Sequence, residues 1–94
     1  MNVKVVLVGA KTPNSDLERC KEILIDYPGC AFGGLSEYLI RGMDSEERTI
    51  YLGEQGSVKF SILIAVNGIM IWDKDRDNLH LKEGDQIELI VPPG

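Results

Sequence analysis

The chain has 94 residues and a mass of 10.4 kDa, with 10 Lys+Arg against 15 Asp+Glu and a formal charge of −5. At about 150 residues per domain this is a single domain, residues 1–94, with room for one small core and not for a deep multi-walled active site. The acidic balance excludes a nucleic-acid binder, which needs clustered positive charge to displace counterions from phosphate, and it offers no basic face to an anionic membrane.

A hydrophobic fraction of 44% with 27% charged residues is that of a folded globule. The chain opens on Val3, Val5, Val6, Leu7 and Val8, an apolar β-branched run that predicts a buried strand ending at Gly9. Lys11 to Asp16, with Pro13 and Asn14, reads as a loop. Ser15-Asp16-Leu17-Glu18 resembles a capping box, which allows a short helical turn. The preferred reading of residues 20–27 is a second strand, paired with the first and stopped by Tyr27-Pro28-Gly29. The main helix is predicted over Cys30 to Arg41. Leu35, Tyr38 and Leu39 share one face, Phe32 anchors the first turn, and Gly42 stands as the C-terminal cap. Gly33 and Gly34 each cost about 1 kcal/mol of helix propensity relative to Ala, so this helix must depend on packing against a sheet.

Asp44 to Arg48 reads as a polar connector. Arg48–Leu52 and Val58–Val66 read as strands joined through Gly53-Glu54-Gln55-Gly56. Asn67-Gly68 is the strongest hairpin signal in the chain and leads into Ile69–Trp72. Asp73 to Asn78 is a charged loop, Lys82-Glu83-Gly84-Asp85 a tight turn, and Gln86–Val91 the last strand. Pro92-Pro93-Gly94 cannot continue a sheet and projects as a stiff tail. One helix across one face of a mixed sheet is a two-layer α+β arrangement, with the apolar first and last strands side by side at its centre.

Few side chains form a chemical constellation. Cys20 and Cys30 match neither a CxxC pair nor a zinc site and read as buried or half-buried free thiols. Asp73-Lys74-Asp75-Arg76-Asp77 starts like a calcium loop, but its sixth position is Asn78 and its twelfth Gly84, which excludes that ligand set. His80, the one histidine, alternates with Leu79 and Leu81 as a half-exposed loop or strand residue. The common role of a lone Trp is to complete a core edge. The alternative for Trp72 is an anchor for a partner, with Phe60 as a second candidate partner-binding residue. Metal ligands and catalytic residues are not expected, and neither is a bound cofactor. The longest apolar runs, Val5–Val8 and Ile62–Val66, are far below the roughly 20 residues of a membrane-spanning helix, and the first residues lack the architecture of a signal peptide. A cytoplasmic location is therefore expected.

Ala65-Val66-Asn67-Gly68, Leu81-Lys82-Glu83-Gly84-Asp85-Gln86-Ile87-Glu88-Leu89 and Pro92-Pro93 together resemble the ubiquitin-like sulfur carriers (MoaD/ThiS family). That family includes the small subunit of molybdopterin synthase and the sulfur carrier of thiamine biosynthesis. Pro28-Gly29-Cys30-Ala31-Phe32 leading into Leu35 is similar to the start of the family's helix. The resemblance implies a β-grasp (ubiquitin-like) fold, a mixed sheet of about five strands with one main helix on one face. It implies a carrier and co-substrate, not an enzyme. An E1-like adenylating partner would use ATP to activate the carboxylate of Gly94, and sulfur would be installed there as a thiocarboxylate. The tail would then enter a second, sulfur-accepting enzyme.

Family tails run Pro-Pro, two further residues, then Gly-Gly, whereas this chain reads Pro92-Pro93-Gly94. Three residues beyond Val91 reach roughly 10 Å. The shorter tail motivates the alternative, a non-conjugating β-grasp module that binds other proteins through its sheet face or Trp72. A β-grasp ferredoxin is excluded, because an iron–sulfur cluster needs four thiolates and the chain has two cysteines.

Overall fold

The computed structural model describes residues 1–9 and 20–92. The capping-box expectation at Ser15–Glu18, the loop around Pro13, and the terminal Pro93-Gly94 lie outside those residues.

The described chain is a two-layer α+β domain built on a five-stranded mixed sheet in the order β2-β1-β5-β3-β4. The strands are β1 (Asn2–Val8), β2 (Cys20–Asp26), β3 (Leu63–Val66), β4 (Ile69–Ile71) and β5 (Gln86–Ile90). β1 and β5 run parallel beside one another in the interior of the sheet, and the other pairings are antiparallel. Period-two alternation explains which face is covered. Val3, Val5 and Leu7 of β1, Ile23 and Ile25 of β2, Ile64 of β3 and Ile87 and Leu89 of β5 are all buried on one face. Opposite them lie Phe32, Leu35, Leu39, Met43 and Tyr51 from the helical layer, in one continuous core. Tyr51 sits deep enough that burial pushes its hydroxyl up to about 12, with the nearby Glu47 and Cys20 adding to the effect.

The helical layer differs from the sequence reading in three places. The segment expected as one helix from Cys30 to Arg41 is instead a 3₁₀ turn at Phe32–Gly34, α1 (Ser36–Leu39) and a second 3₁₀ turn at Ile40–Gly42. Cys30 and Ala31 are drawn into extended backbone by the 79–81 segment. Phe32 N–H donates to the Leu79 carbonyl at 2.9 Å, Leu81 N–H donates to the Cys30 carbonyl at 2.6 Å, and Ala31 bridges to His80. Gly42 does not act as a left-handed cap, since it is not among the residues of positive φ. It is small because it packs on β2: a Cβ there would stand 2.7 Å from Ile23 Cγ2.

The largest correction concerns residues 44–52. They hold neither a connector nor a strand but α2 (Ser45–Tyr51). Asp44 accepts from Glu47 N–H at 2.8 Å and Glu47 returns a bond to Asp44 N–H at 2.9 Å, a complete capping box. That reciprocal cap, with Glu46 and Glu47 in the first turn, outweighs the β preference of Thr49-Ile50-Tyr51.

The expected strand Val58–Val66 is regular only from Leu63. Val58 makes a single bridge to Leu52 around the Gly53–Gly56 turn. The residues between are bent by Arg76, as described below. Asn67-Gly68 forms the hairpin turn with φ of 51° and 83°, the left-handed pair of a type I′ turn. Lys82–Asp85 is a tight turn with Gly84 at φ 83°. Among the described residues, no helix is long and apolar enough to cross a membrane.

Candidate functional site

Three features stand out against this frame: the exit of the C-terminal strand, an apolar patch on the outer sheet face, and the 3₁₀ helix that follows β4.

β5 is interior to the sheet, so it carries the chain off the middle of one end of the molecule. Ile90 lies between Val8 of β1 and Leu63 of β3, and Val91 N–H donates to the Val8 carbonyl at 3.2 Å. Val91 and Pro92 are half-buried. Pro92 is thus held at the sheet end, while Pro93 and Gly94, the residue expected to be activated, fall outside the described residues.

The outer face of the sheet carries Val6, Val8, Glu88 and Ile90 at its centre and Leu63 and Met70 toward the β4 edge. Trp72 follows β4 in extended backbone (φ −72°, ψ 149°). It does not complete the core: its side chain is 72% exposed and borders a shallow groove with Leu63, Met70, Ile71, Asp73 and Lys74. The expectation of a core-edge role is therefore overturned, because β4 ends the sheet and no described element lies over Trp72. Leu63 and Met70 escaped the sequence reading as surface residues. The available signal was Leu63–Trp72 itself, ten residues without a charge in a strand pair that has two faces.

Residues 73–78, expected as a loop, form a 3₁₀ helix with Arg76 buried to 6% exposure. The Arg76 guanidinium donates to the Lys59 carbonyl at 2.9 Å and to the Ile62 carbonyl, and pairs with Asp73 at 3.0 Å. Two carbonyls turned toward one buried cation explain why residues 59–62 leave the β conformation. Phe60 is 72% exposed and its ring covers Arg76, with 5.3 Å from guanidinium carbon to ring centroid. Phe60 and Trp72 therefore belong to different depressions. Phe60 lines one with Phe32, Ser36, Val58 and Arg76; Trp72 lines the groove beside β4.

Both cysteines are free and exposed, against the expectation of buried or half-buried thiols. Cys20 is the first residue of β2 at the sheet end opposite Val8, and Cys30 lies in the extended segment before Phe32. His80 is exposed in its bridge to Ala31. Tyr27 is buried and donates its hydroxyl to the Ala31 carbonyl at 2.7 Å. Burial, then Cys30, Tyr38 and Glu37, raise its pKa. This hydroxyl ties the end of β2 to the start of the helical layer. No protein-family model matches the chain, and no curated protein matches it.

Proposed function

We propose that this chain is a ubiquitin-like sulfur carrier of the MoaD/ThiS kind with a β-grasp fold. The observation that carries the reading is the place of β5, interior to the sheet and parallel to β1, in the order β2-β1-β5-β3-β4 with the helices between β2 and β3. That order agrees with a β-grasp, and it carries the chain at Val91 and Pro92 off the middle of one end.

In this reading the Gly94 carboxylate attacks the α-phosphate of ATP on an E1-like partner, forming an acyl adenylate and releasing pyrophosphate. A sulfide-level sulfur nucleophile supplied by the partner then attacks the acyl carbon and displaces AMP, giving the thiocarboxylate, whose sulfur a second enzyme accepts. The chain supplies the carboxylate and the docking surface, and the partners supply ATP, sulfur and catalysis. A cytoplasmic setting, in molybdopterin or thiamine biosynthesis, goes with this role. Mass spectrometry of the protein co-expressed with an adenylating enzyme from its own genome tests it. Adenylate or thiocarboxylate at Gly94 is the expected product, and an unmodified terminus under conditions that charge a known carrier rejects the proposal.

A second reading, a protein-binding module without conjugation, is favoured by one observation, the exposed Trp72 beside Leu63 and Met70. A protein lacking Pro92–Gly94 separates the two. The carrier loses function, whereas the module keeps its partner and loses it only with Trp72→Ala.

A further inference from the structure

The two edges of the sheet are treated differently. β2, at one edge, carries Lys21, Glu22 and Asp26, the charges with which natural proteins keep an open edge from pairing. β4, at the other, is Ile69-Met70-Ile71, followed by Trp72 and preceded by a hairpin without a charge. Ile69 is 69% exposed and Met70 48%.

The two-residue turn sets the direction of the free hydrogen-bonding groups. Val66 faces Ile69 as the closing, hydrogen-bonded pair, and Ile64 faces Ile71 as the next. Met70, opposite Ala65, is in the intervening pair that exchanges no bonds, so its N–H and C=O point away from β3 toward the side that no described strand covers.

We propose that β4 pairs with β4 of a second copy of this chain, antiparallel about a two-fold axis through Met70, to make a continuous ten-stranded sheet. The edge is self-complementary in this register. The outward N–H and C=O of Met70 satisfy those of Met70 in the other copy. Ile69 lies opposite Ile71 of the other copy on the inner face. On the outer face Trp72 lies opposite Gly68, where nothing stands within 4 Å of a Cβ position, so the indole has a cleared surface to cover.

The absence of charge from Leu63 to Trp72 lets two acidic molecules meet at this edge. Three exposed side chains per copy fall well below the ~800 Å² per partner of a standard interface, so the dimer is weak and reversible.

Sedimentation velocity of the full chain from about 10 µM to about 1 mM tests this, with a monomer–dimer equilibrium expected across that range. Met70→Pro removes the outward N–H without touching a β3–β4 bond and abolishes the dimer. Met70→Lys, which keeps the backbone, weakens it by roughly tenfold or more and decides the matter if the proline variant fails to fold. Leu24→Lys, on the opposite edge, leaves it unchanged. In hydrogen exchange the Met70 amide gains protection only at high concentration. A monomer throughout the range overturns the proposal. So does a dimer that survives Met70→Lys or is lost with Leu24→Lys.

Discussion

Single residues account for much of how this small domain holds together. Arg76 is the strongest case, since a buried cation gathers two main-chain carbonyls and one carboxylate. Arg76→Ala takes the guanidinium donor from the Ile62 carbonyl and leaves the Lys59 carbonyl with the Ile62 N–H alone, and a loss of roughly 3 kcal/mol is expected in urea unfolding. Arg76→Lys recovers only part of it, because an ammonium cannot reproduce the guanidinium fork.

Tyr51 gives the protein an alkaline limit. Its pKa is raised to about 12 from an ordinary 10.0, so the folded state holds the proton more tightly than the unfolded chain. The contribution is complete below pH 10 and is lost as pH rises through about 12, amounting to at most roughly 3 kcal/mol. Unfolding midpoints at pH 9 and pH 11 should therefore differ, and Tyr51→Phe should flatten that difference. Tyr27, also raised, adds a decline of the same sign.

Trp72 is the only tryptophan. At micromolar concentration its emission is expected to be that of an indole in water and readily quenched by acrylamide. Trp72→Ala should leave the unfolding midpoint within about 0.5 kcal/mol of the parent.

At the scale of elements, capping and close packing decide where sequence preference is divided. α2 exists because Asp44 and Glu47 close a capping box on a segment whose side chains also suit a strand. Asp44→Ala should cost about 1 kcal/mol, and loss of helical circular dichroism on mild heating checks it. Gly42→Ala should cost roughly 1–3 kcal/mol in urea unfolding, since the added methyl stands 2.7 Å from Ile23 Cγ2 on the neighbouring strand.

The strands at 2–8, 20–26, 69–71 and 86–90 were legible because apolar β-branched runs and the Asn67-Gly68 turn are local signals that survive folding. Val58–Val66, by contrast, is strand only from Leu63, and the strand read at Arg48–Leu52 belongs to α2. The helical layer was not legible. The glycines at 33 and 34 and the bonds from Phe32 and Leu81 to their partners break the expected helix into short turns, and those bonds span residues far apart in the chain.

At the scale of the whole molecule, the sheet order brings the end of β5 between β1 and β3 and leaves β4 as an edge that no other described strand covers. The apolar patch of Leu63, Met70 and Trp72 thereby lies on the same side as the end of β5. On the proposed carrier reading, a partner that takes up the chain beyond Pro92 meets this patch as well. The formal charge of −5 makes a basic surface the complement. Association with such a partner should slow as salt is raised, in stopped-flow measurement, while dissociation changes little.

Length, charge, apolar β-branched runs and hairpin chemistry are properties of neighbouring residues, and they were enough to point to an α+β arrangement with two apolar strands at its centre. They also marked Trp72 and Phe60 as the aromatic residues to watch. Whether those two act together, whether the cysteines are covered, and which sheet edge stays open depend on contacts between segments dozens of residues apart. Phe60 over Arg76, Cys20 at an exposed strand end and Met70 turned outward from β3 are outcomes of that packing. Side-chain burial is set by what folds over a residue, and a local pattern states only which face it is on.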